Sequence, residues 1–367
     1  MASLFFYGSL RHAPLLETVL GRSFDADTLR ATTLSDHSVY AVADQPFPML
    51  VPEAGGRAEG LLASGLTASD VARLNFYEGG FAYDLVDVVL ENGEAAEVYL
   101  CAPDQWRTEG LWDFEAWVDR WAAMSCHAAR EVMRYLTSHT PEQVAAMFPQ
   151  IRARAWSRVL GARTHAGQGV FDGKVEINRQ ECAYVGFFAM QEVSLRHSRF
   201  GGGMSPMLER SYLVGGDAAL VLPYDPKRDR VLLVEQMRVG PLGRGDPEIW
   251  HLEPIAGRID PGESPEQTAR REAREEANLE IEALETVARG YCSPGDSTGY
   301  FHIFVGLADL PDDAAVVSGL ESEAEDIRSR LISYTDFIDM AEQQAIANTP
   351  LALLAYWLVH HRCRLRS

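Results

Sequence analysis

Apolar and polar positions run in short blocks through the first hundred residues, and the rhythm changes afterwards. LFFYGSL from Leu4, SDHSVYAV from Ser35, AEGLLASG from Ala58, YDLVDVVL from Tyr83 and AAEVYLCA from Ala95 are rich in β-branched and aromatic residues and read as strands. Among them TASDVARLNFYEGG reads as a helix, capped by Thr67 or Ser69 and ended by Gly79-Gly80. Residues 112–160 carry two longer helical patterns, the second opening on a threonine cap and a proline. GARTHAGQGVFDGK, with four glycines between Gly161 and Gly173, is the linker candidate. Strands return from about Val175. ALVLPYDPKRDRVLLVEQMR predicts two strands joined at an Asp-Pro turn, and IWHLEPIAG predicts a third. A helix capped at Ser264, with proline next, runs to Asn278. LETVARGYC, YFHIFVGLA and IRSRLIS are further strands, and two helices close the chain.

At 367 residues the chain is long enough for two domains. The boundaries read as 1–110, a helical extension with linker over 111–172, and 173–367. No run of 18 apolar residues exists and no leader pattern opens the chain, so neither a membrane span nor a signal peptide is expected. The net charge of −20, without any basic stripe, argues against nucleic acid as partner. A phosphate-bearing ligand then needs local arginines or a divalent cation. The five cysteines are scattered and form no CxxC pair, which points to a reducing cytoplasm rather than a disulfide framework or structural zinc.

One segment concentrates chemistry. GRIDPGESPEQTARREAREEANLE, from Gly257, holds six glutamates and four arginines. Glu272 and Glu276 are four apart and share a helix face, with Glu275 close by. Like charges at that spacing repel unless something positive sits among them, and a hard divalent cation suits such oxygen donors. The spacing resembles the box of the Nudix hydrolases, matched at Gly257, Glu263, Arg271, Glu272, Glu275 and Glu276. Asn278 stands where that family has glycine, and asparagine is the next most tolerant residue of a left-handed helix end. The resemblance implies hydrolysis of a substituted nucleoside diphosphate with magnesium, manganese being the alternative ion. Carried over, Glu272, Glu276, Glu275 and the Ala256 carbonyl are metal ligands, and Glu263 and Arg271 support them.

The resemblance continues through EQMR, HLEPIAG, YCSPG and GLESEAEDI and points to the ADP-ribose pyrophosphatase branch. Pro294, about 16 residues after the box, marks hydrolysers of ADP-ribose there. Arg238 is implied to hold a phosphate or ribose, Glu253 to contact substrate, and Tyr184 to stack on adenine. Glu323 matches the catalytic base, Glu325 is an accessory acid near the metal, and Arg210 reaches a partner's site in a homodimer formed through this domain. The implied reaction gives AMP and ribose 5-phosphate from ADP-ribose. Other nucleoside diphosphate sugars such as GDP-mannose, or binding without cleavage, are the alternatives.

A second resemblance lies near the N-terminus. FFYGSLR and ARLNFYEGGFAYDLVDV resemble the gamma-glutamylcyclotransferase family, which includes the AIG2-like proteins. Glu78 matches its general acid/base, and Tyr7, Gly8, Ser9 and Leu10 match its substrate-holding loop. The alternative is a binding module without turnover. The two resemblances imply an α+β chain: a small β-barrel with helices, then an α/β/α Nudix sandwich. Chains joining these two domains resemble those labelled tellurite-resistance proteins, a label that supplies no chemistry.

Overall fold

The computed structural model describes residues 2–23, 28–102, 104–163, 171–315, 317–319 and 326–367. The chain divides into two compact units, Met1–Thr164 and His165–Ser367.

The first unit runs β1 (Ala2–Phe6), α1 (Ala13–Leu20), β2 (Leu29–Val42), β3 (Pro48–Leu66), α2 (Ala68–Glu78), β4 (Asp84–Val89), β5 (Ala95–Leu100), β6 (Thr108–Leu111), α3 (Phe114–Val132) and α4 (Pro141–Arg163). Its six strands form one sheet in the order β4-β5-β1-β3-β2-β6. Successive side chains of β1 point to opposite faces. Leu4 and Phe6 pack with α1, α2 and α3, whereas Phe5 and Tyr7 pack with Leu34, Leu50, Leu62 and Val98. A register shift between Ser35 and His37 bends the long β2–β3 hairpin and helps the sheet curl. Helix α2 is capped by Thr67, reciprocally with Asp70. Both long helices belong to this unit, and α3 and α4 pack on each other through the Arg154–Glu131 pair.

The second unit runs β7 (Val175–Val185), β8 (Ala189–His197), β9 (Leu208–Val214), β10 (Asp217–Asp225), β11 (Arg230–Met237), α5 (Val239–Arg244), β12 (Trp250–Glu253), β13 (Ile255–Arg258), α6 (Pro265–Ala277), β14 (Ala283–Tyr291), β15 (Tyr300–Leu307), β16 (Val317–Ser318), β17 (Ile327–Ser333), α7 (Tyr334–Glu342) and α8 (Thr349–Leu365). A three-stranded sheet, β7-β8-β9, stands beside a mixed sheet ordered β14-β15-β10-β11-β17-β16, with β12 on β11 and β13 on β10. One face of the mixed sheet packs Leu220, Leu222, Tyr224, Val231 and Leu233 against Phe337 of α7 and Leu351, Leu354 and Leu358 of α8. Helix α6 packs on β13 and β10.

Three expectations change. LFFYGSL stops being a strand at Phe6, because Ser9–Arg11 turns into a short 3-10 helix. IWHLEPIAG is two strands, because Pro254 has no N–H to continue a ladder and β13 leaves for another neighbour. The pieces at Ser35 and Ala58 are parts of one long hairpin.

Candidate active site

Helix α6 begins where Ser264 and Gln267 cap each other, and it ends at Asn278 in a left-handed conformation with φ 51°. These two ends fix the azimuth of the glutamates between them. Gly257 on β13 lies so close to Glu272 that a Cβ there would overlap the carboxylate. The bare backbone is what admits that side chain. The Ala256 N–H donates to Glu276 Oε2 at 3.3 Å, and Glu276 is only 2% exposed. A carboxylate at that depth requires donors or a cation around it.

Arg271 gathers the rest. Its Nη1 donates to Glu272 Oε1 at 2.7 Å and to Glu275 Oε2 at 2.8 Å, its Nε to Glu263 Oε1 at 3.0 Å, and its Nη2 to the Arg258 carbonyl at 3.1 Å. Burial works against its charge, yet the carboxylates around it raise its pKa overall. Glu263 also accepts from the buried Thr268 hydroxyl at 2.7 Å. Burial by itself would raise the Glu263 pKa, but the Arg271 and Thr268 hydrogen bonds outweigh it and hold it below the usual range.

Among the described residues, no three histidine, cysteine or carboxylate side chains converge into a closed metal centre. The arrangement is of another kind: oxygen donors on one helix face, already drawn around a positive group. A hard divalent cation takes oxygen donors and keeps several waters. Glu272, Glu275, Glu276 and the Ala256 carbonyl are the groups here that could supply such donors. Glu323 and Glu325 lie outside the described residues.

Three residues before Ala256, Glu253 accepts from Arg238 Nε at 2.8 Å through Oε2 and from Asn348 Nδ2 at 3.2 Å through Oε1. This pins the guanidinium at the end of β11. Arg258 lies 4.4 Å over the Phe187 ring and so ties the β7–β8 hairpin to the strand that carries Gly257. Tyr184 on β7 is 64% exposed, and Arg210 on β9 is exposed and bonds the Glu209 carbonyl. Pro294 opens a turn in which the Ser293 carbonyl accepts from Ser297 N at 2.9 Å. That turn is stitched to β9 through Leu213, whose amide donates to Asp296 O and whose carbonyl accepts from Thr298 N. The structure therefore clusters Gly257, Glu263, Arg271, Glu272, Glu275 and Glu276, pairs Arg238 with Glu253, and leaves Tyr184, Arg210 and Pro294 outside that hydrogen-bonded cluster among the described residues.

The first unit holds a separate pocket. Glu78, Tyr7, Gly8, Ser9 and Leu10 all line it. Glu78 is half-buried at the end of α2, and burial pushes its pKa up to about 7. Burial raises Tyr7 well above the usual range, with the nearby Glu78 charge adding to it. The Tyr7 hydroxyl donates to the Tyr99 carbonyl at 3.0 Å. Gly8 caps the 3-10 turn, and the leading N–H groups of such a turn have no acceptor within it.

Residues 215–352 match the family model described as NUDIX domain, and residues 4–118 that described as Gamma-glutamyl cyclotransferase, AIG2-like. An ADP-ribose pyrophosphatase of Escherichia coli strain K12 is 38% identical over 189 residues, covering 51% of this chain and 90% of that protein. The chain belongs to the NUDIX family. An ADP-ribose pyrophosphatase of Haemophilus influenzae is 38% identical over 181 residues, 48% of this chain and 80% of that protein. A GDP-mannose pyrophosphatase of Yersinia enterocolitica is 32% identical over 146 residues, 40% of this chain and 75% of that protein. In this Nudix unit the sequence pattern left four residues unnoticed: Thr268, Arg258, Phe187 and Asn348. Asn348 caps α8, its Oδ1 accepting from Leu351 N, while its Nδ2 donates to Glu253.

Proposed function

We propose that the Nudix unit hydrolyses the diphosphate of ADP-ribose. Water adds to one phosphorus, the bridging P–O bond breaks, and AMP and ribose 5-phosphate leave. The observation that carries this is the intact α6 cluster, with Glu272 seated on Gly257 and Glu276 buried beside Ala256. A divalent cation, magnesium foremost, supplies neutralisation of the charge that develops on the phosphoryl oxygens. Arg271 keeps Glu272 and Glu275 oriented in a fixed fork. Arg238, held by Glu253, offers its remaining donors to a phosphate or ribose oxygen. Glu323 would take the proton of the attacking water, Glu325 would help hold the metal, Tyr184 would stack on adenine, and Pro294 would shape the turn beside the sugar. The charged positions of the box are all present, which favours turnover over binding alone.

AMP release with magnesium is expected to be faster from ADP-ribose than GMP release from GDP-mannose under the same conditions. A faster reaction with GDP-mannose would keep the chemistry and reject the substrate.

The Nudix unit is assigned a homodimer formed through β7–β9. Val175, Ile177, Tyr184, Phe187 and Met207 are half to two-thirds exposed on or beside that sheet, and apolar surface of this kind is normally covered. Arg210 on β9 would then enter the partner's site. Sedimentation equilibrium is expected to give twice 40.7 kDa, and a single species at 40.7 kDa would reject the assembly.

The first unit is read as a gamma-glutamyl cyclotransferase. The substrate's α-amine attacks its own γ-amide carbon, Glu78 takes a proton from that nitrogen, and the C–N bond breaks. The proton passes to the leaving amine, and 5-oxoproline remains. The support is a carboxyl whose pKa near 7 suits both steps, inside a pocket that also holds the Tyr7–Leu10 turn.

A further inference from the structure

One ring of the wall that lines the Glu78 pocket comes from outside the matched domain. The cyclotransferase match ends at residue 118, yet Phe148 of α4 lines the pocket together with Glu78. Two contacts fix α4 there. Gly80 has no Cβ; one would stand 2.6 Å from the Pro141 carbonyl oxygen and 2.8 Å from Ala145 Cβ. Arg154 of α4 bonds Glu131 of α3, Nε to Oε1, at 2.9 Å, with side chains 3% and 11% exposed. Losing one partner of so buried a pair is strongly destabilising, which ties the two helices together.

Phe148 packs edge-on against Phe81, ring centroids 4.8 Å apart, and Phe81 lies 6.0 Å from Phe47. All three rings line the pocket. Among the described residues the lining contains no lysine, arginine or histidine, and Glu78 is its one carboxylate. An anionic group set against this wall would meet no cation among the described residues and would face Glu78, at an electrostatic cost. A flat apolar group would gain ring contact area there.

We infer that this pocket takes a γ-glutamyl amide whose amine part is flat and apolar, seated against Phe47, Phe81 and Phe148, and that Phe148 is the specificity-determining residue. The γ-glutamyl half of this ligand rests on the cyclotransfer reading; the apolar half rests on the wall.

The full-length protein with Glu78→Gln, which removes turnover, is titrated calorimetrically with γ-glutamyl anilide and with γ-glutamylglycine. The anilide is expected to bind about tenfold more tightly. Adding Phe148→Ala is expected to erase most of that ratio while leaving γ-glutamylglycine unchanged, and Phe148→Leu to keep part of it. Near-UV circular dichroism checks that the fold persists. Equal binding of the two amides, binding of neither, or equal weakening of both by Phe148→Ala and Phe148→Leu would overturn the inference. Wild-type protein is assayed in parallel for 5-oxoproline. Selective binding without that product would sink the cyclotransfer reading and leave the apolar subsite standing.

Discussion

Replacing Glu276 with Gln is expected to lower AMP release from ADP-ribose about a thousandfold. Losing roughly 4 kcal/mol of charge stabilisation at the diphosphate corresponds to three factors of ten in rate. The amide keeps the size of the side chain, and its carbonyl oxygen can still accept from the Ala256 N–H. The fold should therefore hold, and thermal unfolding of the variant should stay close to wild type. Glu276 is buried on the face of α6 that meets β13, so no exposed neighbour can move into its place. A variant that retains activity within tenfold of wild type would show that this carboxylate is structural. The site would then have to be rebuilt around Glu272 and Glu275.

Glu78→Gln should act on the first unit in two ways. It should remove 5-oxoproline release, by a factor of about 10²–10⁴, the usual contribution of a positioned acid/base. In wild type the same rate should rise with pH through about 7, as the carboxyl ionises and becomes able to accept a proton. The second effect is on stability. Folding raises the Glu78 pKa from 4.5 to about 7, so the folded state binds the proton more tightly than the unfolded state. The stability this gives is complete below pH 4.5 and is lost as pH rises through 7. Across that window the loss is about 3 kcal/mol, at about 1.4 kcal/mol for each pH unit. Glutamine carries no such penalty. The Tm of the variant relative to wild type should thus climb between pH 5 and pH 8. A flat difference would mean that Glu78 is better solvated than its surroundings imply.

Much of the catalytic helix was legible because its signals are local. Ser264 with Pro265 fixes the start, and the spacing of Glu272, Glu275 and Glu276 fixes the shared face. Asn278 was expected to tolerate a left-handed end, and it adopts one. Thr67 proved to be the cap of α2 by the same short-range logic. The long β2–β3 hairpin was harder to see, because Pro48, Pro52 and a run of glycines read as breaks when no partner strand is known. Contacts made across long separations left no local trace. Asn348 reaches Glu253, Arg258 meets Phe187, and Phe148 joins Glu78 in one pocket, and each pairing depends on how the chain closes. The apparent strand through Tyr7–Leu10 fails for a related reason. Its apolar pattern is that of a strand, but Gly8 turns the backbone.

The bare Gly80 and the buried Arg154–Glu131 pair carry an implication for how this chain can be divided or recombined. The recognisable domain ends at residue 118, but the compact unit runs to 164. A graft cut at the end of the recognisable domain would sever α3 near its start, remove the whole Arg154–Glu131 pair with α4, and uncover the surface at Gly80 that Pro141 and Ala145 cover. The portable module is therefore about 46 residues longer than its sequence signature, the difference between 164 and 118. Helices that resemble a spacer between two domains travel with the first of them.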